Sequence, residues 1–222
     1  LQPEFEAKLG ILVHTKLKIS DWGTLNKDLK DIENKIFKFE KLSSPFFLLS
    51  INDSPGLQKI NAEKWFKNEF YSSNNILEPI SNKQINKKIK IGYYSADFHD
   101  HATSNLMVNL FELHDRSKFE IVGFYFGPES KHEMYTRISN AFDQFINVKF
   151  KTDKEIAQLS RELNIDIAID LMGFVKNNRF KIFIDRCAPI QVNYLGYPGT
   201  LGTNCFEYII ADKTLIPKES QE

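Results

Sequence analysis

The stretch Ser95-Ala96-Asp97-Phe98-His99-Asp100-His101-Ala102-Thr103-Ser104 gathers two carboxylates, two imidazoles and several hydroxyls just ahead of a helix pattern. An imidazole titrates near neutrality, so His99 or His101 has the chemistry to take a proton from an incoming alcohol. The helix start adds unpaired backbone N–H groups and a partial positive charge, which suit a phosphate or a sugar hydroxyl. The same residues also read as caps, Asp97 and Thr103, flanked by surface histidines. His99-x-His101 with Asp100 supplies metal-binding side chains, but no third histidine or cysteine follows at metal-motif spacing, so no metal is assigned.

A second stretch, Ala188 to Gly202, runs from an apolar strand pattern into a turn with glycine at positions 196, 199 and 202. Glycine lets a backbone approach a ligand closely, which suits the second wall of a pocket, or it serves a structural turn. The spacing matches neither the dinucleotide G-x-G-x-x-G fingerprint nor the P-loop. Arg179 and Arg186 flank the region and read either as phosphate ligands or as ion-pair partners of Asp185. Cys187 and Cys205 stand too far apart for a zinc knuckle and read as small core residues.

Positioning these groups requires a scaffold, and the hydrophobic pattern supplies one. Residues 1–70 read as helical. Phe5, Leu9, Leu12 and Leu17 mark one segment, and Leu25, Leu29, Ile32, Ile36 and Phe39 a clearer one that Asp21 or Thr24 would cap. Ser54-Pro55 opens a third helix through Phe70. Residues 71–88, rich in Asn, Ser and Lys, read as a linker. From Ile89 onward short strands alternate with helices. Strands are expected at Ile89–Ser95, Phe119–Phe126, Phe142–Val148, Ile165–Leu171, Ile190–Leu195 and Tyr208–Ala211. Helices are expected at Thr103–His114, with Leu106, Met107, Leu110 and Phe111 inward, and at Met134–Ala141. A capping box at Thr152-Asp153-Lys154-Glu155 opens another helix, ending at Leu163. This alternation predicts a doubly wound α/β fold with a parallel, Rossmann-like sheet, whose ligands gather at the carboxyl ends of the strands.

Composition excludes several classes. With 29 basic and 29 acidic side chains among 222 residues the net charge is zero, which argues against a nucleic-acid binder. Residues 1–90 carry a net +4 and residues 91–222 a net −4, which supports two segments of different character. No apolar run reaches the length of a membrane-spanning helix, and no membrane partner is expected. Two cysteines make no disulfide framework, so a reducing, cytoplasmic compartment is expected.

Several of these stretches, in this order, resemble the O-linked N-acetylglucosamine transferases, the SPINDLY-like family. They are Gly92-Tyr93-Tyr94-Ser95-Ala96-Asp97-Phe98 with His101, Leu110-Phe111-Glu112-Leu113-His114-Asp115, Asp170-Leu171-Met172-Gly173, and Ala188 to Thr200 ending in Leu195-Gly196-Tyr197-Pro198-Gly199-Thr200. The resemblance runs from about Lys88 to Pro217. It weakens upstream, where His14-Thr15-Lys16-Leu17-Lys18 and Asp21-Trp22 are similar to the join with the family's tetratricopeptide repeats. The chain departs from the pattern at Ala102 and Cys187, where prolines are common, and lacks an upstream histidine around Ile51 to Pro55.

The resemblance implies a two-lobed, GT-B-type glycosyltransferase. It would move N-acetylglucosamine from UDP-N-acetylglucosamine to Ser or Thr hydroxyls of proteins, inverting the anomeric centre without metal or other cofactor. The implied partners are a protein or peptide acceptor and a nucleotide-sugar donor. His101 matches a histidine proposed as base or sugar contact and Asp97 an aspartate also proposed as base, with the donor's own phosphate the alternative proton acceptor. Thr103 matches a threonine near the sugar, and Leu195 and Gly196 backbone positions lining the sugar pocket. The expected organisation is a helical lead-in over 1–70, ending the repeat region, a linker over 71–88 and the N-terminal catalytic lobe over 89–222. The donor-binding lobe would lie beyond Glu222, leaving this fragment inactive alone. SPINDLY-type fucose transfer from a GDP donor and a non-catalytic polypeptide-binding module are the alternatives.

Overall fold

The computed structural model describes residues 8–38, 44–70, 77–80 and 87–220. Phe5, Phe39 and most of the expected linker lie outside the described residues. The chain divides into two compact units, Leu1–Asn74 with Gly199–Thr203, and Asn75–Pro198 with Asn204–Glu222.

The first unit holds helices α1 (Lys8–Lys18), α2 (Leu25–Phe37), α3 (Pro45–Leu49) and α4 (Pro55–Phe70). Val13, Ile32, Ile36, Leu48 and Leu57 form its core, with Leu9, Leu17 and Leu25 packed against them. Leu12, expected on the buried face, is exposed, and Val13 takes its place. Thr24 occupies the position before α2 without a side-chain cap bond. Its hydroxyl instead donates to Asp28, which also receives the Lys16 ammonium at 2.7 Å.

The second unit is the α/β fold that the alternation predicts. Its order is β1 (Ile89–Ser95), α5 (Ala102–Leu113), β2 (Phe119–Tyr125), α6 (Glu133–Ala141), β3 (Gln144–Asn147), α7 (Asp153–Glu162), β4 (Ile167–Asp170), α8 (Lys181–Ile184), β5 (Ile190–Tyr194) and β6 (Tyr208–Ile210). The strands form one sheet in the order β3-β2-β1-β4-β5-β6, and every pairing is parallel. This is the Rossmann order, with the direction of winding reversing between β1 and β4, the place at whose carboxyl ends open α/β sheets bind their ligands.

Alternation along each strand sorts its side chains between two cores. Ile91, Tyr93, Ile121, Tyr125 and Ile169 pack with Phe98, Met107, Phe111, Ile138 and Phe142 under α5 and α6. Tyr94, Val122, Phe124 and Ala168 pack with Ile156, Ala157, Ile182 and Phe183 under α7 and α8. The expectation that Leu106 and Leu110 face inward is not met. Both are exposed, while Met107, Val108 and Phe111 fill the interface. Leu106 and Leu110 stand one residue, roughly 100° of helix, away from Met107 and Phe111, so one stripe excludes the other.

The capping box is present in full. Thr152 Oγ1 accepts the Glu155 N–H at 3.2 Å, and the Glu155 carboxylate accepts the Thr152 N–H at 2.7 Å. Thr152→Ala removes the first of these bonds, and is expected to cost about 1 kcal/mol of stability. Urea unfolding would show this as a lower midpoint with an unchanged m-value; an unmoved midpoint would contradict it.

Candidate functional site

At the carboxyl end of β1 the chain folds back on itself. Ser95 Oγ accepts the Asp97 N–H at 2.9 Å, and the Asp97 carbonyl accepts the His99 N–H at 2.8 Å and the Ser104 hydroxyl. These bonds fix the Asp97 backbone and leave its carboxylate beside the His101 ring, with Oδ2 3.7 Å from Nδ1. Burial pushes the Asp97 carboxyl up from its ordinary range, against the pull of His101 and His99.

His101 is the residue before α5, and its Nδ1 accepts the Thr103 N–H at 3.3 Å. A neutral imidazole that accepts at Nδ1 carries its proton on Nε2, so in this arrangement His101 presents a donor outward. Accepting a proton at Nε2 requires the other tautomer, in which Nδ1–H turns from the helix to Asp97. Thr103 itself is buried, while the His101 side chain is 43% exposed.

Leu195 and Gly196 sit at the same edge, at the end of β5. Gly196 N–H donates to the Tyr194 carbonyl at 2.8 Å, closing a three-residue turn over Leu195, whose φ is 65°. Such a φ costs a branched residue energy, and strain of this kind persists only where its surroundings enforce it. Gly196 explains the enforcement: a Cβ there would fall 1.8 Å from the Leu171 carbonyl oxygen. The close backbone approach expected of this glycine is therefore made to the chain itself, at the turn after β4.

The structure brings Asp97, His101 and Thr103 into direct contact. It places Leu195 and Gly196 beyond β4, which lies between β1 and β5. Three further side chains belong to the site. His132 precedes α6, accepts the Met134 N–H through Nδ1 at 3.2 Å, and sets Nε2 3.6 Å from Asp100 Oδ2. A histidine between a strand end and a helix start was the signal, identical to that of His101. Met172 and Asp170, on the turn after β4, lie buried beneath the β1 loop. Both belong to the stretch Asp170-Leu171-Met172-Gly173 that carries part of the family resemblance, and Asp170 is also a carboxylate closing an apolar strand.

Arg179 and Arg186 do not pair with Asp185. Arg179 Nε meets Asp153 at 2.5 Å, and Arg186 meets Glu207 at 2.6 Å. Cys187 is buried, and burial pushes its thiol up to about 12. No group of three His, Cys, Asp or Glu side chains that would hold a metal ion occurs among the described residues.

Residues 67–222 match the family described as Glycosyl transferase family 41. The chain belongs to that family. Over 139 residues, 63% of the chain, it is 33% identical to the probable UDP-N-acetylglucosamine–peptide N-acetylglucosaminyltransferase SEC of Arabidopsis thaliana, and covers 14% of that protein. It is 33% identical over 135 residues to the UDP-N-acetylglucosamine–peptide N-acetylglucosaminyltransferase of Caenorhabditis elegans, covering 12% of it, with 60% of the chain aligned. To the Arabidopsis protein named SPINDLY it is 29% identical over 143 residues, 63% of the chain and 16% of that protein. The chain thus spans a small part of the length of these relatives. In fold it matches a mutant O-GlcNAc transferase of Thermobaculum terrenum with a TM-score of 0.74 at 24% identity, over 99% of this chain and 42% of that one. The family 41 match covers the whole α/β unit, including every candidate site residue.

Asp170 gives the site a measurable signature. It is buried, and loss of hydration pushes its carboxyl up to about 6, although the Met172 and Gly173 N–H groups and the Asn193 amide favour the charged form. An unfolded aspartate titrates near 3.9, so the folded state holds this proton more tightly. The resulting stabilisation is present below about pH 4 and is lost as pH rises through about 6, amounting to about 3 kcal/mol. Asp170→Asn abolishes that dependence. Urea unfolding of variant and wild type at pH 4 and pH 7 is expected to show their stability difference shifting by about this much in the variant's favour. Parallel pH profiles would contradict the assignment.

Proposed function

We propose that this chain forms the acceptor-side lobe of an inverting family 41 glycosyltransferase, one that moves N-acetylglucosamine from UDP-N-acetylglucosamine to Ser or Thr hydroxyls of proteins or peptides. The observation that carries the proposal is the Asp97–His101 pair, at the carboxyl edge beside the β1/β4 reversal, inside the segment the family shares. The relatives named as peptide N-acetylglucosaminyltransferases support the choice of donor and acceptor.

In this reading the acceptor oxygen attacks the anomeric carbon as the bond to the donor's pyrophosphate breaks. The electron pair leaves with UDP. The hydroxyl proton passes to Asp97, whose burial makes it a stronger base than an exposed carboxylate. His101, its Nδ1 tied to Thr103, presents Nε2–H to a substrate oxygen. Thr103 fixes that ring, and Leu195 and Gly196 offer backbone to the sugar. The donor is a substrate, and the reading assigns no resident metal or cofactor to this lobe. Most nucleotide contacts are left to parts of the protein beyond it, so residues 1–222 alone are expected to transfer nothing.

The test separates chemistry from capping. Asparagine is a good residue before a helix, so His101→Asn keeps α5 capped while removing the imidazole. In the full-length gene product it is expected to retain the thermal midpoint and lose transfer from labelled UDP-N-acetylglucosamine by about 100-fold or more. Unchanged transfer would remove His101 from the mechanism. A parallel assay with GDP-fucose distinguishes the SPINDLY-type donor, and peptide binding without transfer from either donor would indicate a recognition module.

A further inference from the structure

The turn after β4 touches both walls of the candidate site. Asp170 Oδ1 accepts the Met172 N–H at 2.9 Å, and Oδ2 accepts the Gly173 N–H at 2.9 Å and the Asn193 amide at 3.2 Å. Toward β1, the Met172 sulfur accepts the Ser95 hydroxyl and the Ala96 N–H, each at 3.4 Å. Ser95 Oγ in turn holds the Asp97 N–H. Toward β5, the Leu171 carbonyl is the atom that Gly196 is small enough to meet. Gly173 backs onto Tyr197, where a Cβ would fall 2.5 Å from the tyrosine Cβ. One carboxylate therefore anchors a turn whose side chain reaches the Asp97 loop and whose backbone abuts the Leu195–Gly196 turn.

We propose that Asp170 is a positioning residue of the transfer reaction, holding Leu171–Gly173 in the one conformation that sets the Asp97–His101 pair against the Leu195–Gly196 turn. The proposal rests on the glycosyltransferase reading above. Asp170 is 2% exposed and acts through these contacts, without touching substrate. Two features separate this role from simple support of the fold. First, a buried carboxylate at this place works against stability at neutral pH, whereas a neutral residue of the same shape would not. Second, asparagine cannot reproduce its contacts. The carboxylate accepts at both oxygens, while an amide would turn an N–H toward either the Gly173 N–H or the Met172 N–H. The fold tolerates that mismatch in one turn; the geometry of two converging loops does not.

Asp170→Asn in the full chain, followed by amide hydrogen exchange at pH 7, tests the idea without needing activity. Exchange is expected to rise about 10-fold or more in both Ala96–Thr103 and Tyr194–Tyr197 while β1 and β2 stay protected. A rise confined to Leu171–Gly173, or to one wall, overturns the proposal. Met172→Leu keeps the volume and removes the sulfur acceptor, so it is expected to loosen Ala96–Thr103 alone. No rise there also overturns the proposal, and this variant decides the matter if Asp170→Asn does not fold. In the full-length gene product Asp170→Asn should lower kcat about 10- to 100-fold with KM little changed. A loss that merely tracks the fraction of folded protein contradicts positioning. Absence of transfer by the wild-type protein counts against the glycosyltransferase reading, and the exchange pattern still decides this one.

Discussion

A parallel sheet covered on both faces leaves its chain one edge at which to do chemistry, and the rest of this α/β unit follows from that. The polar groups at the two ends of its strands are used in opposite ways. Toward the amino ends, carboxylates are committed to strand backbone: Asp166 accepts the Lys90 N–H, Asp143 the Ile121 N–H, and Glu207 the Gln191 N–H. Asp143 and Glu207 also pair with Arg116 and Arg186. Those charges close gaps in hydrogen bonding that a buried sheet cannot leave open. At the carboxyl edge, backbone groups and hydroxyls hold the Asp97 main chain, so its carboxylate faces an imidazole instead. The same residue type is tied to strand backbone at one edge and left facing an imidazole at the other, the edge at which open α/β sheets bind ligands.

That edge also concentrates features that a fold selected for stability alone would avoid. Asp170 is a charge taken out of water, and Leu195 holds a left-handed backbone that favours glycine. They are neighbours through the Leu171 carbonyl and Gly196, so each helps to fix the other's surroundings. The motif around them is divided in its purpose. Gln191, in the run Ala188-Pro189-Ile190-Gln191, is buried and bonds Cys187, Phe183 and Cys205, tying the turn after α8 to β5. Two residues beyond it, Asn193 bonds Asp170 and so belongs to the site. One continuous run thus ties β5 to the turn after α8 at one point and to the candidate site at another.

The long elements were legible because they repeat. Alternation in β1 and β4, the apolar stripe of α2 and the box at Thr152 each contain enough residues to state a period or a cap. Helices α3 and α8, of five and four residues, are shorter than the pattern that would announce them. The inward face of α5 was misread at Leu106 and Leu110 because two adjacent apolar stripes look equivalent until the aromatic cluster of Phe98, Phe111 and Phe142 selects one. Within the site, Asp97, His101 and Thr103 were readable as a local cluster, since a few residues of one loop bring them together. The Met172 contact with Ser95 joins residues 77 apart and leaves no local trace. Tertiary proximity of that kind is visible only once the strand order is known.

Two helices that start at the carboxyl edge are capped by histidine. Both α5 and α6 begin after a histidine whose Nδ1 accepts the second helical N–H, although serine, threonine, asparagine and aspartate are the residues that chains ordinarily place there. A histidine in this position caps a helix only with Nδ1 unprotonated, so capping dictates the tautomer of the ring. In α7, away from these two imidazoles, the cap is the ordinary threonine. The histidine caps of α5 and α6 thus depart from a residue preference that α7, starting at the same carboxyl edge, keeps. The cap then does two jobs. It satisfies the helix, and it leaves the proton of each ring on Nε2, which in His132 faces the Asp100 carboxylate at 3.6 Å. In His101, whose side chain is 43% exposed, that Nε2–H can meet an oxygen of a sugar or a phosphate, and this is the use the proposed transfer makes of it.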